Sequence, residues 1–296
     1  MKEKRPFIFG EVLFDVYPDG TEKMGGAPFN VAWHLAAFGL DPLFISCIGI
    51  DKRGDIVINA MQRWGIDHTA VQRNDNYSTG VVNVTENHSG PSYTIPEAQA
   101  FDYIDLNVFK NSVINQDCSL IYHGSLALRN QTNQATLKYI LNNYKNYISF
   151  IDLNLRDPWW SKETVINFIG GVNWLKLNSD EMKMLSNDIG LTKDLSTLCN
   201  KYNIDTVLLT MDKNGALLFN NKKITKITPE NIPDFIDAVG AGDAFSAVSI
   251  LGVLKGWSVN DITIRSVEFA SAICRVKGPI SHDLSLYKKF TKKWNI

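Results

Sequence analysis

The sequence predicts an α/β fold built on a mostly parallel sheet with helices on both faces. Three observations carry that expectation. Short apolar runs with β character alternate with helical patterns almost throughout the 296 residues, the rhythm of a covered parallel sheet. One stretch breaks the rhythm: residues 79–85 and 92–95 alternate polar and apolar around the loop-rich cluster Asn87, His88, Ser89 and Gly90, which signals a hairpin and hence a small β appendage. No internal repeat, low-complexity tract or linker interrupts the chain, so a single large domain is expected.

The elements follow in order. Residues 5–10 (RPFIFG) open as a strand. Phe29, Val31, Ala32, Leu35 and Ala36 recur at helical spacing and predict a helix over 28–37, stopped by Gly39. A strand over 43–48 follows, then an amphipathic helix carrying Ile56, Val57, Ala60, Met61 and Trp64, stopped by Gly65. Later strands are expected at 119–123, 148–153, 173–177 and 206–210, with helical patterns between them.

Composition excludes several functional classes. Thirty basic and 31 acidic residues leave a net charge of −1, without the basic surplus of a nucleic-acid binder, although one local anion site remains compatible. The four cysteines form no CxxC pair and the five histidines no HExxH, so neither a zinc site nor a disulfide framework is expected. Buried, reduced thiols suit a cytoplasmic protein. The amino terminus is basic but lacks the apolar core of a signal peptide. The apolar run 245–254 is broken by Ser246 and Ser249, closed by Lys255, and about half the length needed to cross a bilayer, so no membrane partner is expected.

The most informative segment is DAVGAGDAF, residues 237–245. Gly240, Ala241 and Gly242 precede a helical run of Ala244, Phe245, Val248, Leu251 and Leu254. Small residues at a helix start let unpaired amides converge on an anion, favoured further by the helix dipole. Asp243 then stands in the first turn, where a carboxylate can take the proton of an attacking hydroxyl while the amides hold a phosphoryl group. The alternative is structural: Gly-Ala-Gly allows tight packing and Asp243 caps the helix. A dinucleotide fingerprint is disfavoured, because Phe245 stands in place of the third glycine and only about fifty residues follow. No GxxxxGK[ST] run is present.

A second segment, GGAPFNVA at 25–32, opens the first helix. Its paired glycines permit close backbone approach, and Asn30 both donates and accepts hydrogen bonds, which suits vicinal hydroxyls. Taken alone, a glycine pair before a helix usually marks just a turn.

Together the two segments resemble the signatures of the ribokinase/PfkB family of carbohydrate kinases, in the family's order and over nearly the whole chain. Asn178-Ser-Asp-Glu181 looks like the family's NxxE element. Asp152-Leu-Asn-Leu-Arg156, followed by Trp159 and Trp160, looks like the DxNxR segment of its fructokinase-like members. The resemblance implies a ribokinase-like three-layer α/β sandwich with a mostly parallel central sheet and a small β lid. It implies one kinase domain over residues 1–296, with the lid formed mainly by about 12–24 and 77–98.

The resemblance also implies roles. Asp243 is the expected catalytic base and Gly240, Ala241 and Gly242 the anion hole. Asp15, Gly25, Gly26, Asn30, Asn154 and Arg156 are expected to hold the sugar. Asn178, Glu181, Thr210 and Gly215 are expected at the nucleotide, with Glu181 orienting Mg²⁺ through water. The implied cofactors are ATP and Mg²⁺, with activation by a monovalent cation such as K⁺ left open. The implied partners are a small sugar and ATP, with a homodimer left open. The implied activity is phosphotransfer from ATP to a sugar hydroxyl, fructose first. A kinase for 2-keto-3-deoxygluconate, ribose or a nucleoside, and a catalytically silent sugar-binding regulator, are the alternatives.

Two positions depart from the family pattern: Ala238 stands where Thr is common, and Asp212 where Gly is common. Asp tolerates positive φ better than most residues, so the latter turn is expected to survive. Several residues also have plain structural readings. Asp15 suits a turn, Arg156 a surface ion pair, and Asn178 with Glu181 a helix capping box. Phe29 and Phe101 suit either the core or the wall of a sugar site.

Overall fold

A computed structural model describes residues 4–87, 90–114, 116–189, 194–230 and 234–296. The strands are β1 (Arg5–Phe9), β2 (Leu13–Val16), β3 (Glu22–Gly25), β4 (Leu43–Gly49), β5 (Val71–Asn74), β6 (Gly80–Asn87), β7 (Gly90–Thr94), β8 (Cys118–His123), β9 (Ile148–Asp152), β10 (Trp174–Asn178), β11 (Thr206–Thr210), β12 (Ala216–Asn220) and β13 (Lys223–Ile227). The helices are α1 (Ala27–Ala37), α2 (Lys52–Trp64), α3 (Leu106–Ser112), α4 (Gln131–Asn143), α5 (Lys162–Ile169), α6 (Ser179–Ile189), α7 (Leu195–Tyr202), α8 (Ala241–Leu254), α9 (Val259–Ile273) and α10 (Leu284–Trp294).

Nine of the described strands form one sheet in the order β13-β12-β11-β10-β9-β8-β1-β4-β5. Its pairings are parallel from β5 through to β11, and only the β11–β12 and β12–β13 edge is antiparallel. The central strands are buried on both faces, which is why β1 and β4 read as continuous apolar runs rather than alternating ones. One core gathers Phe109, Leu137, Val165, Phe168, Leu185 and Leu198 from α3 to α7 on one face. The other gathers Phe29, Val57, Phe245, Phe269 and Tyr287 from α1, α2, α8, α9 and α10 on the opposite face. The expected three-layer arrangement is therefore present.

A second, four-stranded sheet has the order β3-β2-β6-β7. The expected hairpin is its β6–β7 pair, with Val84 opposite Tyr93. Of the loop cluster anticipated there, His88 and Ser89 lie outside the described residues. The second half of this sheet comes from β2 and β3, where Asp15 sits inside a strand opposite Lys23 rather than at a turn.

The four cysteines are free and buried. Burial pushes the Cys47 and Cys118 thiols up to about 12, which leaves them unreactive near neutral pH. Among the described residues no helix is long and apolar enough to cross a membrane.

Candidate active site

The carboxy-terminal motif folds into the start of α8. Gly240 is its N-cap residue, at φ 81°, and the Gly240 carbonyl accepts the first helical bond from the Ala244 amide at 2.9 Å. The preceding segment is anchored to the end of α9, because the Ile236 and Asp237 amides both donate to the Cys274 carbonyl. Asp237 also accepts from the Val239 amide at 3.0 Å. The Ala241 amide is already used within this turn, bonding to the Ala238 carbonyl at 3.1 Å. Among the described residues no acceptor takes the amides of Gly242 and Asp243. Of the three amides that the sequence pointed to, only Ala241 is spent in this turn; those of Gly240 and Gly242, joined by that of Asp243, have no acceptor among the described residues.

Gly240 has a second reason to be glycine. A Cβ there would lie 2.4 Å from both the Cα and the carbonyl oxygen of Pro279. That wall is fixed from behind: the Trp33 indole donates to the Ser281 carbonyl at 3.0 Å, and His34 Nε2 lies 3.3 Å from the Pro279 carbonyl. Burial pushes the His34 imidazole down to about 4, so it is neutral at physiological pH. Gly240→Ala is expected to cost on the order of 1–3 kcal/mol of stability and to lower turnover by displacing the amides. Thermal melting and steady-state kinetics on the variant measure both.

Asp243 faces the start of α1. Asn30 Nδ2 donates to Asp243 Oδ2 at 2.7 Å, joining the two glycine-led helices. Burial raises the Asp243 carboxyl to about 6, against the opposing Asn30 hydrogen bond and the charges of Lys176 and Arg156. The residue as a whole is half-buried. Asn30 is buried, and its Oδ1 has no partner among the described residues. Gly26 is the N-cap of α1 at φ 106°, where a Cβ would lie 2.7 Å from the Glu11 carbonyl. A Cβ on neighbouring Gly25 would reach 3.9 Å from Asp15 Oδ2 and 4.0 Å from Asn30 Oδ1. Gly25 thus lies between the Asp15 carboxylate and the Asn30 amide oxygen. Burial raises the Asp15 carboxyl, opposed by Lys23 and Arg156.

Beneath the helix mouth lies a charged pair that the sequence reading missed. Lys176 and Asp152 are cross-strand neighbours on β10 and β9, on the face that carries α8. Lys176 Nζ sits 2.8 and 3.0 Å from the two Asp152 oxygens, and the Ser246 hydroxyl of α8 donates to the same carboxylate at 2.8 Å. Both charged side chains are buried. Burial alone would lower the Lys176 ammonium, but Asp152 and Glu181 outweigh it and the net shift is upward. A Cβ on Gly242 would lie 3.1 Å from Lys176 Nζ, so this positive charge sits close against Gly242. The signal was a lone lysine in the buried strand WLKLN, a residue type almost never found there without a partner.

Lys176 also links to the NxxE element, since its charge is felt by Glu181 as well as Asp243. The capping-box reading of that element is correct. Asn178 Oδ1 accepts from the Asp180 and Glu181 amides at 2.9 Å, and Glu181 Oε2 accepts from the Asn178 amide at 2.7 Å. Glu181 Oε1 takes a further bond from the Leu155 amide at 2.9 Å, tying the DxNxR loop to α6. Burial raises the Glu181 carboxyl, opposed chiefly by Lys176.

Thr210 pairs in register with Asn178. Gly215 closes the next turn, its carbonyl accepting from Met211 at 2.7 Å, and Asp212 adopts φ 45° as expected for the glycine position it occupies. Asn154 sits at φ 42° with its carbonyl 3.4 Å from the Ser125 hydroxyl. Arg156 is exposed, and its charge reaches Glu11, Asp15 and Asp243. Phe29 and Phe101 are fully buried and belong to the core. The structure therefore gathers Asp15, Gly25, Asn30 and Asp243 into one cluster. Asn178, Glu181 and Thr210 form a second, at the ends of β10 and β11.

Comparison with known proteins identifies the family. Residues 12–285 match the pfkB family carbohydrate kinases. The fructokinase of Escherichia coli is 24% identical over 276 residues, covering 88% of each chain. The 5-dehydro-2-deoxygluconokinase of Clostridium perfringens (strain 13 / Type A) is 24% identical over 297 residues, covering 91% of this chain and 86% of the relative. Among solved structures, a fructokinase with bound ATP from Xylella fastidiosa superposes with a TM-score of 0.85 at 17% identity over 99% of both chains. That likeness establishes the fold as ribokinase-like. The chain belongs to the PfkB family of carbohydrate kinases, phosphotransferases that act on sugar hydroxyls.

Proposed function

We propose that the protein transfers the γ-phosphate of ATP to a hydroxyl of a small sugar, with fructose as the favoured acceptor. One observation carries this reading. Asp243 stands in the first turn of α8, beside the free amides of Gly242 and Asp243, and Asn30 holds it from the facing helix. A carboxylate raised to about 6 is still ionised at neutral pH and close enough to it to work as a base.

In this mechanism Asp15, Gly25, Gly26, Asn30, Asn154 and Arg156 hold the sugar so that one hydroxyl lies at Asp243. The hydroxyl oxygen attacks the γ-phosphorus in line, Asp243 keeps the proton, and ADP leaves. The helix-mouth amides, backed by Lys176, stabilise the charge on the transferring phosphoryl group. Asn178, Glu181, Thr210 and Gly215 flank the nucleotide. Magnesium carried by ATP would supply charge neutralisation on its phosphates. Among the described residues no three His, Cys, Asp or Glu gather to hold a metal, and both Glu181 oxygens already accept backbone amides. This donor set fits an ion carried by the phosphates, with Asn178 and Glu181 acting through its water shell. The chain acts as one kinase domain in which the small sheet, about 12–24 and 77–98, serves as a lid that brings Asp15 to the sugar and excludes water.

The fructokinases of E. coli and X. fastidiosa support the sugar, and the ATP bound to the latter supports the nucleotide. An ADP-release assay over ketoses, aldoses, sugar acids, sugar phosphates and nucleosides tests the reading. Release that depends on added sugar and is strongest with fructose is expected. Absence of sugar-dependent release across the panel would contradict it.

A further inference from the structure

The start of α2 grips both strands that flank the one carrying Asp15. In the small sheet β2 lies between β3 and β6, and Asp15 on β2 is the residue that this sheet brings to Gly25. Asp51, the N-cap of α2, accepts from the Gly54 amide at 2.8 Å. It also reaches across to Thr79, the residue before β6, taking its amide at 2.7 Å and its hydroxyl at 2.8 Å. The Thr79 hydroxyl in turn accepts from the Gly49 amide at 3.0 Å. Thr79 is 1% exposed, and a Cβ on Gly49 would lie 2.7 Å from its nitrogen and 2.8 Å from the Tyr77 carbonyl oxygen. Two residues beyond Asp51, Arg53 holds the other flank. Its Nη2 and Nε donate to the two carboxylate oxygens of Glu22, at 2.6 and 3.1 Å. Glu22 opens β3 and pairs with Val16, the residue after Asp15.

The two grips differ in kind. The Thr79 grip is buried and closely packed, so opening it would strand polar groups away from water. The Arg53–Glu22 fork is two-pronged and charge-assisted, but both side chains are 34% exposed, so water and salt compete for it. The fork is therefore the half that can open, and Thr79 the pivot. The helix itself gains nothing from Arg53, because a cation in the first turn opposes the helix dipole. We propose that Arg53 is a positioning residue for the acceptor site, whose fork on Glu22 draws the β2–β3 ribbon onto the body of the molecule and so sets Asp15 against Gly25 and Asn30. With the fork open, the small sheet turns about Thr79 and Asp15 leaves the sugar. This rests on the sugar-kinase reading and goes beyond it by naming what holds the lid down. Where only the closed form binds sugar, apparent affinity falls with the fraction of molecules that are closed.

The test compares the full-length wild type with Arg53→Gln and with the charge swap R53E/E22R, on the sugar that gives the highest kcat/KM and with ATP saturating. In R53Q the KM for sugar should rise about three- to fivefold at low salt, with the KM for ATP unchanged and kcat within about twofold. The swap should return the sugar KM most of the way to the wild-type value. Raising salt from about 50 to about 500 mM should bring the wild type towards R53Q, so that the ratio of their sugar KM values shrinks towards one. A merely structural ion pair would move the melting temperature and leave these ratios alone. Hydrogen exchange on the unliganded proteins reads the grip without catalysis: R53Q should exchange faster over residues 12–25, while the Gly49–Gly54 turn keeps its protection. An active wild type whose R53Q variant keeps the same sugar KM at low salt would overturn the proposal, as would a rise that the swap fails to lower. A wild type that releases no ADP with any sugar would overturn the kinase reading and the acceptor role with it. Unchanged exchange over residues 12–25 in R53Q would overturn the grip whether or not the enzyme is active.

Discussion

Replacing Asp243 with asparagine is expected to lower turnover by about 10²–10⁴-fold, the usual contribution of a positioned base, while sugar and nucleotide still bind. Asparagine keeps the side chain's size and an oxygen that can accept from Asn30, which donates to Asp243 at 2.7 Å. The loss should therefore fall on the chemical step. Loss of binding instead would mean that the residue organises the site rather than acting in it.

The same variant carries a stability signature of opposite sign. The folded carboxyl is raised to about 6 from 3.8, so the ionised form is disfavoured by folding. The resulting penalty is absent below about pH 4, grows as pH rises through 4 to 6, and is complete above the folded value. D243N should thus be more stable than the wild type at pH 8, by on the order of 2–3 kcal/mol, and no more stable at pH 3.5. Wild-type kcat/KM should fall about tenfold per pH unit below 6 as the base is protonated. Denaturant melts at the two pH values and a pH–rate profile check the two expectations separately.

The second large effect is expected at the Lys176–Asp152 pair. Lys176→Met leaves the Asp152 carboxylate buried with only the Ser246 hydroxyl as a direct partner. Breaking a buried pair from one side costs roughly 3–5 kcal/mol, which for a chain of this size lowers the melting temperature by roughly 10 °C. The double variant K176M/D152L removes both charges and should recover most of that stability. Its turnover should stay low, because the positive charge close against Gly242 is gone. Recovery of turnover together with stability would make the pair purely structural.

The parts of this molecule that were legible in its sequence are those whose cause is local. Gly240 and Gly26 are demanded by backbone angles and close contacts, so the helix starts that carry Asp243 and Asn30 could be read from glycine spacing. The central strands were legible because burial on both faces leaves continuous apolar runs. What escaped depends on partners far along the chain. Lys176 acquires its meaning from the β9–β10 register that places Asp152 beside it. The β12–β13 hairpin turns through Asn221 and Lys222, both at positive φ, where a lysine replaces the glycine that usually marks such a turn. The loss of Ala241 from the three amides expected at the helix mouth follows from a single bond to Ala238, which residue types alone do not reveal.

A crystal structure of the protein with fructose, magnesium and a non-hydrolysable ATP analogue tests most directly whether Asp243 is the base. One Asp243 carboxylate oxygen should lie within about 2.6–3.2 Å of a sugar hydroxyl, with the terminal phosphate facing the Gly242 and Asp243 amides on the hydroxyl's other side. A sugar whose hydroxyls all point away from Asp243, with the phosphate bound remote from the mouth of α8, would contradict it.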